Sequence, residues 1–66
     1  MIIKITKNPN FTQWFQVIFT DALGFWDIID EVKGRAGAMR IAKKLAQKEK
    51  IKNVDVEGFI ISTEEL

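Results

Sequence analysis

The chain contains no cysteine and no histidine, and only one serine and one proline. Without Cys there are no disulfide staples, and without Cys and His there are no zinc sites of the usual kind. Cys–His and Ser–His nucleophilic pairs are excluded for the same reason. Ser62 lies so near the last residue that a Ser–Lys pair is not expected. No run of 18 apolar residues exists to span a bilayer. The apolar start, Met1-Ile2-Ile3-Lys4-Ile5, is interrupted by Lys4 and is too short for a signal peptide. The expected location is therefore cytoplasmic, with no membrane contact.

What is present is a normal globular composition. The apolar share is 47%, with ten Ile, five Phe and two Trp among 66 residues. So short a chain makes one domain, residues 1–66, and buries only about 60% of its unfolded surface. Large aromatics and self-association are the usual remedies for a small core without disulfide or metal.

Hydrophobic periodicity places the elements. Ile3 and Ile5 alternate with Lys4 and Thr6, which predicts a first strand before an Asn8-Pro9-Asn10 turn. Residues 13–21 alternate over a longer run, with Phe15, Val17 and Phe19 on one side and Trp14, Gln16, Ile18 and Thr20 on the other. Asp21-Ala22-Leu23-Gly24 reads as a turn, and Phe25 to Val32 as a third strand. In a regular hairpin Phe15, Val17 and Phe19 share a face with Trp26, Ile28 and Val32. Asp30 also falls on that face unless a bulge intervenes.

After Gly34 the period changes from 2 to 3.6. Ala38, Ile41, Ala42 and Leu45 form a stripe, flanked by Met39 and Ala46, which predicts a helix from about Arg35 to Lys50. Gly34 serves as N-cap and Asn53 as a left-handed stop. Val54 to Val56 and Phe59 to Ile61 read as a last strand with a bulge or turn at Gly58, followed by a frayed tail from Ser62. The expected fold is α+β. It is a two-layer sandwich of β-β-β-α-β order, with an antiparallel sheet and one helix on one face.

Trp14 and Val17 in a strand, Ala38, Ala42 and Ala46 at four-residue spacing, and Gly58 in a later strand resemble small bacterial and phage domains of that same order. The likeness covers residues 13–61, and in this chain the Trp–Val spacing is one residue wider. It implies the fold and a phage or mobile-element origin, and no activity.

The net charge of +1 conceals segregation. Residues 33–52 carry +7, while residues 21–32 and 53–66 carry −4 each. At about 100° per residue, Arg40, Lys43, Lys44 and Lys50, with Lys48 at the edge, spread over the solvent side of the helix around Gln47. Such a face can track phosphates, or it can be a solvated surface whose lysines complement the helix dipole.

The helix entry, Lys33-Gly34-Arg35-Ala36-Gly37, combines two glycines, two cations and free N–H groups. Its Gly34-x-x-Gly37 spacing resembles the loop with which KH domains clamp a nucleic-acid backbone. Here, however, a strand precedes the glycines, and Arg40 stands where an apolar residue is expected. A generic phosphate site and a plain strand-to-helix turn are the other readings.

The face away from the helix is expected to hold Trp14, Ile18, Phe25 and Ile29 with Asp27 and Glu31, and Asp55 nearby. Apolar groups with a polar rim mark an interaction surface, and Trp is a favoured anchor. The alternative is a minor second core beneath the N-terminal segment, with Ile18 beside Ile29. Asp27, Asp30, Glu31 and Asp55 could also be imagined as paired carboxylates or a Mg²⁺ site, but alternating acids more often confer solubility. The leading expectation is a non-enzymatic protein-interaction module, of a phage-type accessory kind or a homodimer, needing no cofactor and no small-molecule substrate. The alternative is nucleic-acid backbone binding through Lys33, Gly34, Arg35, Gly37, Arg40, Lys43, Lys44 and Lys48.

Overall fold

The computed structural model describes all 66 residues. The strands are β1 (Ile2–Lys7), β2 (Trp14–Thr20), β3 (Trp26–Lys33), β4 (Asn53–Val56) and β5 (Phe59–Ser62), and α1 (Arg35–Glu49) lies between β3 and β4. They form one sheet of order β3-β2-β1-β4-β5 with the helix on one side. The α+β two-layer architecture is thus as expected, with two differences. The sheet is mixed, because β1 and β4 run parallel, with Lys4 beside Asp55 and Ile5 beside Val56. The final apolar stretch is also two strands and not one.

That split has a local cause. Glu57 and Gly58 both take positive φ, 52° and 92°, which suits a two-residue hairpin turn of the right hand for twisted strands. The Gly58 N–H is held by Asp55 Oδ1 at 2.8 Å. Val56 therefore pairs back onto Phe59, and Val54 onto Ile61.

β1, β2 and β3 form a meander, in which β2 and β3 pair as a second hairpin. Their loop is tied by Asp21, whose Oδ1 accepts from the Leu23 and Phe25 N–H groups. Regular pairing fails between Val17 and Ile18, where β3 carries one extra residue. Asp30 pairs with Val17 and Ile28 with Ile18, so Ile29 has no partner. One inserted residue reverses every side chain beyond it. Trp26 and Ile28 consequently share the face of Thr20 and Ile18, away from the helix, and Asp27 moves to the level of Phe19 on the helix side. This corrects the expected facing of Trp26, Ile28 and Asp27. Phe25 lies in the loop before the strand. The bulge leaves Asp30 on the helix side, but β3 is an edge strand and Asp30 remains exposed there.

The core lies between sheet and helix. Ile3, Ile5, Phe15, Val17, Val54 and Val56 meet Ala38, Ala42 and Ala46, with Phe19, Val32, Met39, Ile41 and Leu45 around them. The three alanines at four-residue spacing let the helix backbone sit close to the strands, which is how so short a chain reaches a dense core. At Gly37 a Cβ would stand 3.5 Å from Val32 Cγ2, an ordinary contact distance. The helix ends at Lys50, not Asn53. Lys50 adopts the left-handed conformation and its N–H reaches the Ala46 and Gln47 carbonyls.

The tail is not frayed. Residues Thr63–Glu65 form a 3₁₀ turn, and Thr63 is buried. Its hydroxyl donates to the Ile51 carbonyl at 2.7 Å and its N–H to the Lys52 carbonyl at 2.8 Å. Leu66 packs on the core, and Lys43 Nζ donates to the Leu66 oxygen at 3.1 Å.

Candidate interaction surfaces

Two rows on the face of the sheet opposite the helix carry most of its apolar side chains. Across β3, β2 and β1 run Trp26, Thr20 and Ile2. Beside them run Ile28, Ile18, Lys4, Asp55 and Ile60, crossing all five strands. Trp26, Ile28, Ile18 and Ile2 therefore make one contiguous quartet, with the Lys4 and Asp55 pair at its border. Trp26 is 67% exposed, Ile2 57% and Ile28 42%. The N-terminal segment is β1 itself, in the middle of the sheet, so it cannot cover this face as a second core would require.

The remaining rows are polar. Thr6, Gln16 and Glu31 align, and Trp14 stands beside Lys33. Glu31 Oε2 accepts from Asn8 Nδ2 at 2.8 Å and from Gln16 Nε2 at 3.0 Å. Next to it Phe11, Trp14 and Glu31 line an open cleft of about 310 Å³. Of the six residues expected on this face, the structure gathers Trp14, Ile18 and Glu31. It sends Asp27 to the other side, Phe25 to a loop and Ile29 to the bulge. Trp26, Ile28, Ile2 and Ile60 belong to the surface and were missed. A single extra residue in β3 hides the first two, and Ile2 and Ile60 are placed on this face only by the pairing of β1 with β2 and of β4 with β5.

The acids once imagined as a group do not converge. Asp27 and Asp30 lie on the helix side of β3, while Glu31 and Asp55 lie on the open side with two strands, β2 and β1, between them.

The basic surface divides as well. Lys33 is on the open face beside Trp14, and the Gly34 N–H donates to the Gln13 carbonyl at 2.9 Å. Arg35 pairs with Glu57, which also meets Lys7 at 3.9 Å, and its guanidinium sits 5.7 Å over the Phe15 ring. Gly37 faces Val32. The helix entry thus combines these internal contacts with a first turn whose N–H groups no side chain caps. Farther along, Lys43 is engaged with Leu66, whereas Arg40, Lys44 and Lys48 are exposed and make no ion pair. No helix of the molecule is long and apolar enough to cross a membrane. Comparison with protein-family models, with curated proteins and with solved structures finds no match for this chain.

Proposed function

We infer that the chain is a non-catalytic protein-binding module whose contact surface is the open face of the sheet. The observation that carries this reading is the quartet on paired strands in which Trp26, Ile28 and Ile2 are exposed around a partly buried Ile18. A sheet face exposed to water is ordinarily polar. A contiguous apolar patch with polar surroundings and an exposed Trp has the make-up of an interface centre. Trp26 replaces Trp14 as the anchor, because it stands in the patch rather than in the polar rows. Glu31, Lys33, Lys4 and Asp55 supply the rim.

The test is capture of a partner by the tagged chain, with Trp26→Ala/Ile28→Ala and Lys44→Ala beside it. A partner held by the parent and by Lys44→Ala, and lost with the double variant, supports the assignment. Its amide shifts on the labelled chain should then centre on Ile2, Ile18 and Trp26. A partner retained by the double variant overturns it.

A second reading has one observation in its favour. Arg40, Lys44 and Lys48 share the outward side of α1 without a neutralising acid. Such a stripe suits a nucleic-acid backbone bound with little sequence preference and steep salt dependence.

A further inference from the structure

The two edges of the sheet are built differently. β3 is guarded by its bulge and by Asp27, Asp30, Glu31 and Lys33, the devices that keep an edge from templating another strand. β5, Phe59-Ile60-Ile61-Ser62, has no charge, no proline and no bulge. Phe59 is 74% exposed and Ile60 68%. α1 lies over β1, β2 and β3 and less over β4, so Phe59 and Ile61 are left on the helix side beside an open groove with Met39 and Val56.

The hydrogen-bond phase of this edge is fixed by its inner partner. Thr63 N–H donates to the Lys52 carbonyl, which continues the β4–β5 pairing by one step. In an antiparallel ladder the hydrogen-bonded pairs alternate. Phe59, Ile61 and Thr63 therefore direct their backbone groups inward to β4, and Ile60 and Ser62 direct theirs outward.

We propose that β5 is a pairing edge and that its occupant is β5 of a second copy, run antiparallel about Ile60. This register is selected twice over. It is centred on an outward-facing residue, so Ile60 exchanges both bonds with its own copy and the Ser62 N–H meets the Gly58 carbonyl of the other chain. It also keeps both helices on one side, setting Phe59 opposite Ile61 in the groove that neither helix covers. A shift of one residue would set helix-side groups against open-face groups and lose the bonds. Like-on-like pairing meets no like-charge conflict within the strand, and Glu57 beyond its start is already matched by Arg35 and Lys7. The product is a ten-stranded sheet with one continuous open face.

Ser62→Pro tests the edge and is read beside Phe59→Lys, because proline also removes the Ser62 Oγ that accepts from the Glu64 N–H at 3.4 Å. Ser62 has φ −61°, the angle proline imposes, and its N–H serves only the outer edge. Sedimentation and amide exchange should be measured over rising concentration for the parent, Ser62→Pro, Phe59→Lys and Trp26→Ala. The parent mass should climb from 7.6 kDa toward twice that value, with the Ile60 and Ser62 amides becoming protected. Ser62→Pro and Phe59→Lys should remain at 7.6 kDa with unchanged circular dichroism, while Trp26→Ala associates like the parent. A parent that stays monomeric with both amides unprotected overturns the proposal. So does a dimer that survives both edge variants, or one abolished by Trp26→Ala alone. The open-face assignment is judged separately by partner capture.

Discussion

At the scale of single residues, the two glycines of the Gly34-x-x-Gly37 spacing have opposite physics. Gly34 has φ +89°, a conformation that side chains resist, although nothing stands within 4 Å of the site of a Cβ. Gly34→Ala should lower stability by about 1–2 kcal/mol through backbone strain alone. Gly37 is helical and a methyl there would meet Val32 at ordinary contact distance. Gly37→Ala should raise stability by about 0.5–1 kcal/mol, a gain of several degrees in Tm for a domain this size. Thermal melts of the pair check both signs. Ile5 is fully buried in the centre of the sheet, and Ile5→Ala should cost about 2–5 kcal/mol, read from the denaturant midpoint. Thr63 is a different case, a buried hydroxyl whose bond closes the C-terminal turn onto Ile51. Thr63→Val keeps the shape and leaves that carbonyl without its partner, which should cost about 1–2 kcal/mol. If its melting temperature equals the parent's, the tail is not fastened by this bond.

At the scale of elements, the helix is the more legible part. Its apolar period, its start after Gly34 and its alanine stripe can all be read from residues 34–49, because helical contacts repeat within one segment. The strands are legible as alternating runs, and so is the facing of β2, but the facing of the first half of β3 is not. Whether Trp26 sides with Phe19 or with Thr20 depends on one unpaired residue, Ile29, which only its neighbour Asp30 hints at. Asp30 on an expected core position was the one signal of irregularity. The parallel contact between β1 and β4 is hidden for another reason, as it joins residues some fifty positions apart. The candidate surface was accordingly half visible, with Trp14, Ile18 and Glu31 foreseen and Trp26, Ile28 and Ile60 revealed only by register. On the helix, Lys44→Glu/Lys48→Glu tests the phosphate-tracking reading. If that reading holds, binding of a generic duplex at low salt is lost in the variant and falls steeply for the parent as salt rises. No binding by the parent at micromolar concentration removes it.

At the scale of the whole molecule, the chain separates its charge by layer. The +7 segment forms the helix and its flanks, and Arg40, Lys44 and Lys48 are exposed on the outward side of α1. The open face has an apolar centre and charges of both signs at its border, not the acidic rim that the sequence suggests. A partner of the open face should therefore bind with modest sensitivity to salt, in contrast to any partner of the helix. Raising salt from low to physiological strength distinguishes the two in one titration. The sheet itself is two hydrogen-bonded blocks, the β1–β2–β3 meander and the β4–β5 hairpin, joined along the short parallel junction at Lys4–Asp55 and Ile5–Val56. Such a junction is a natural boundary between cooperative unfolding units. The β4–β5 amides should exchange together, through an opening of lower free energy than the one that releases β1 and β2. The hairpin should also dock late in folding, since β1 must wait for a strand beyond the helix, so substitutions in it should speed unfolding more than they slow folding.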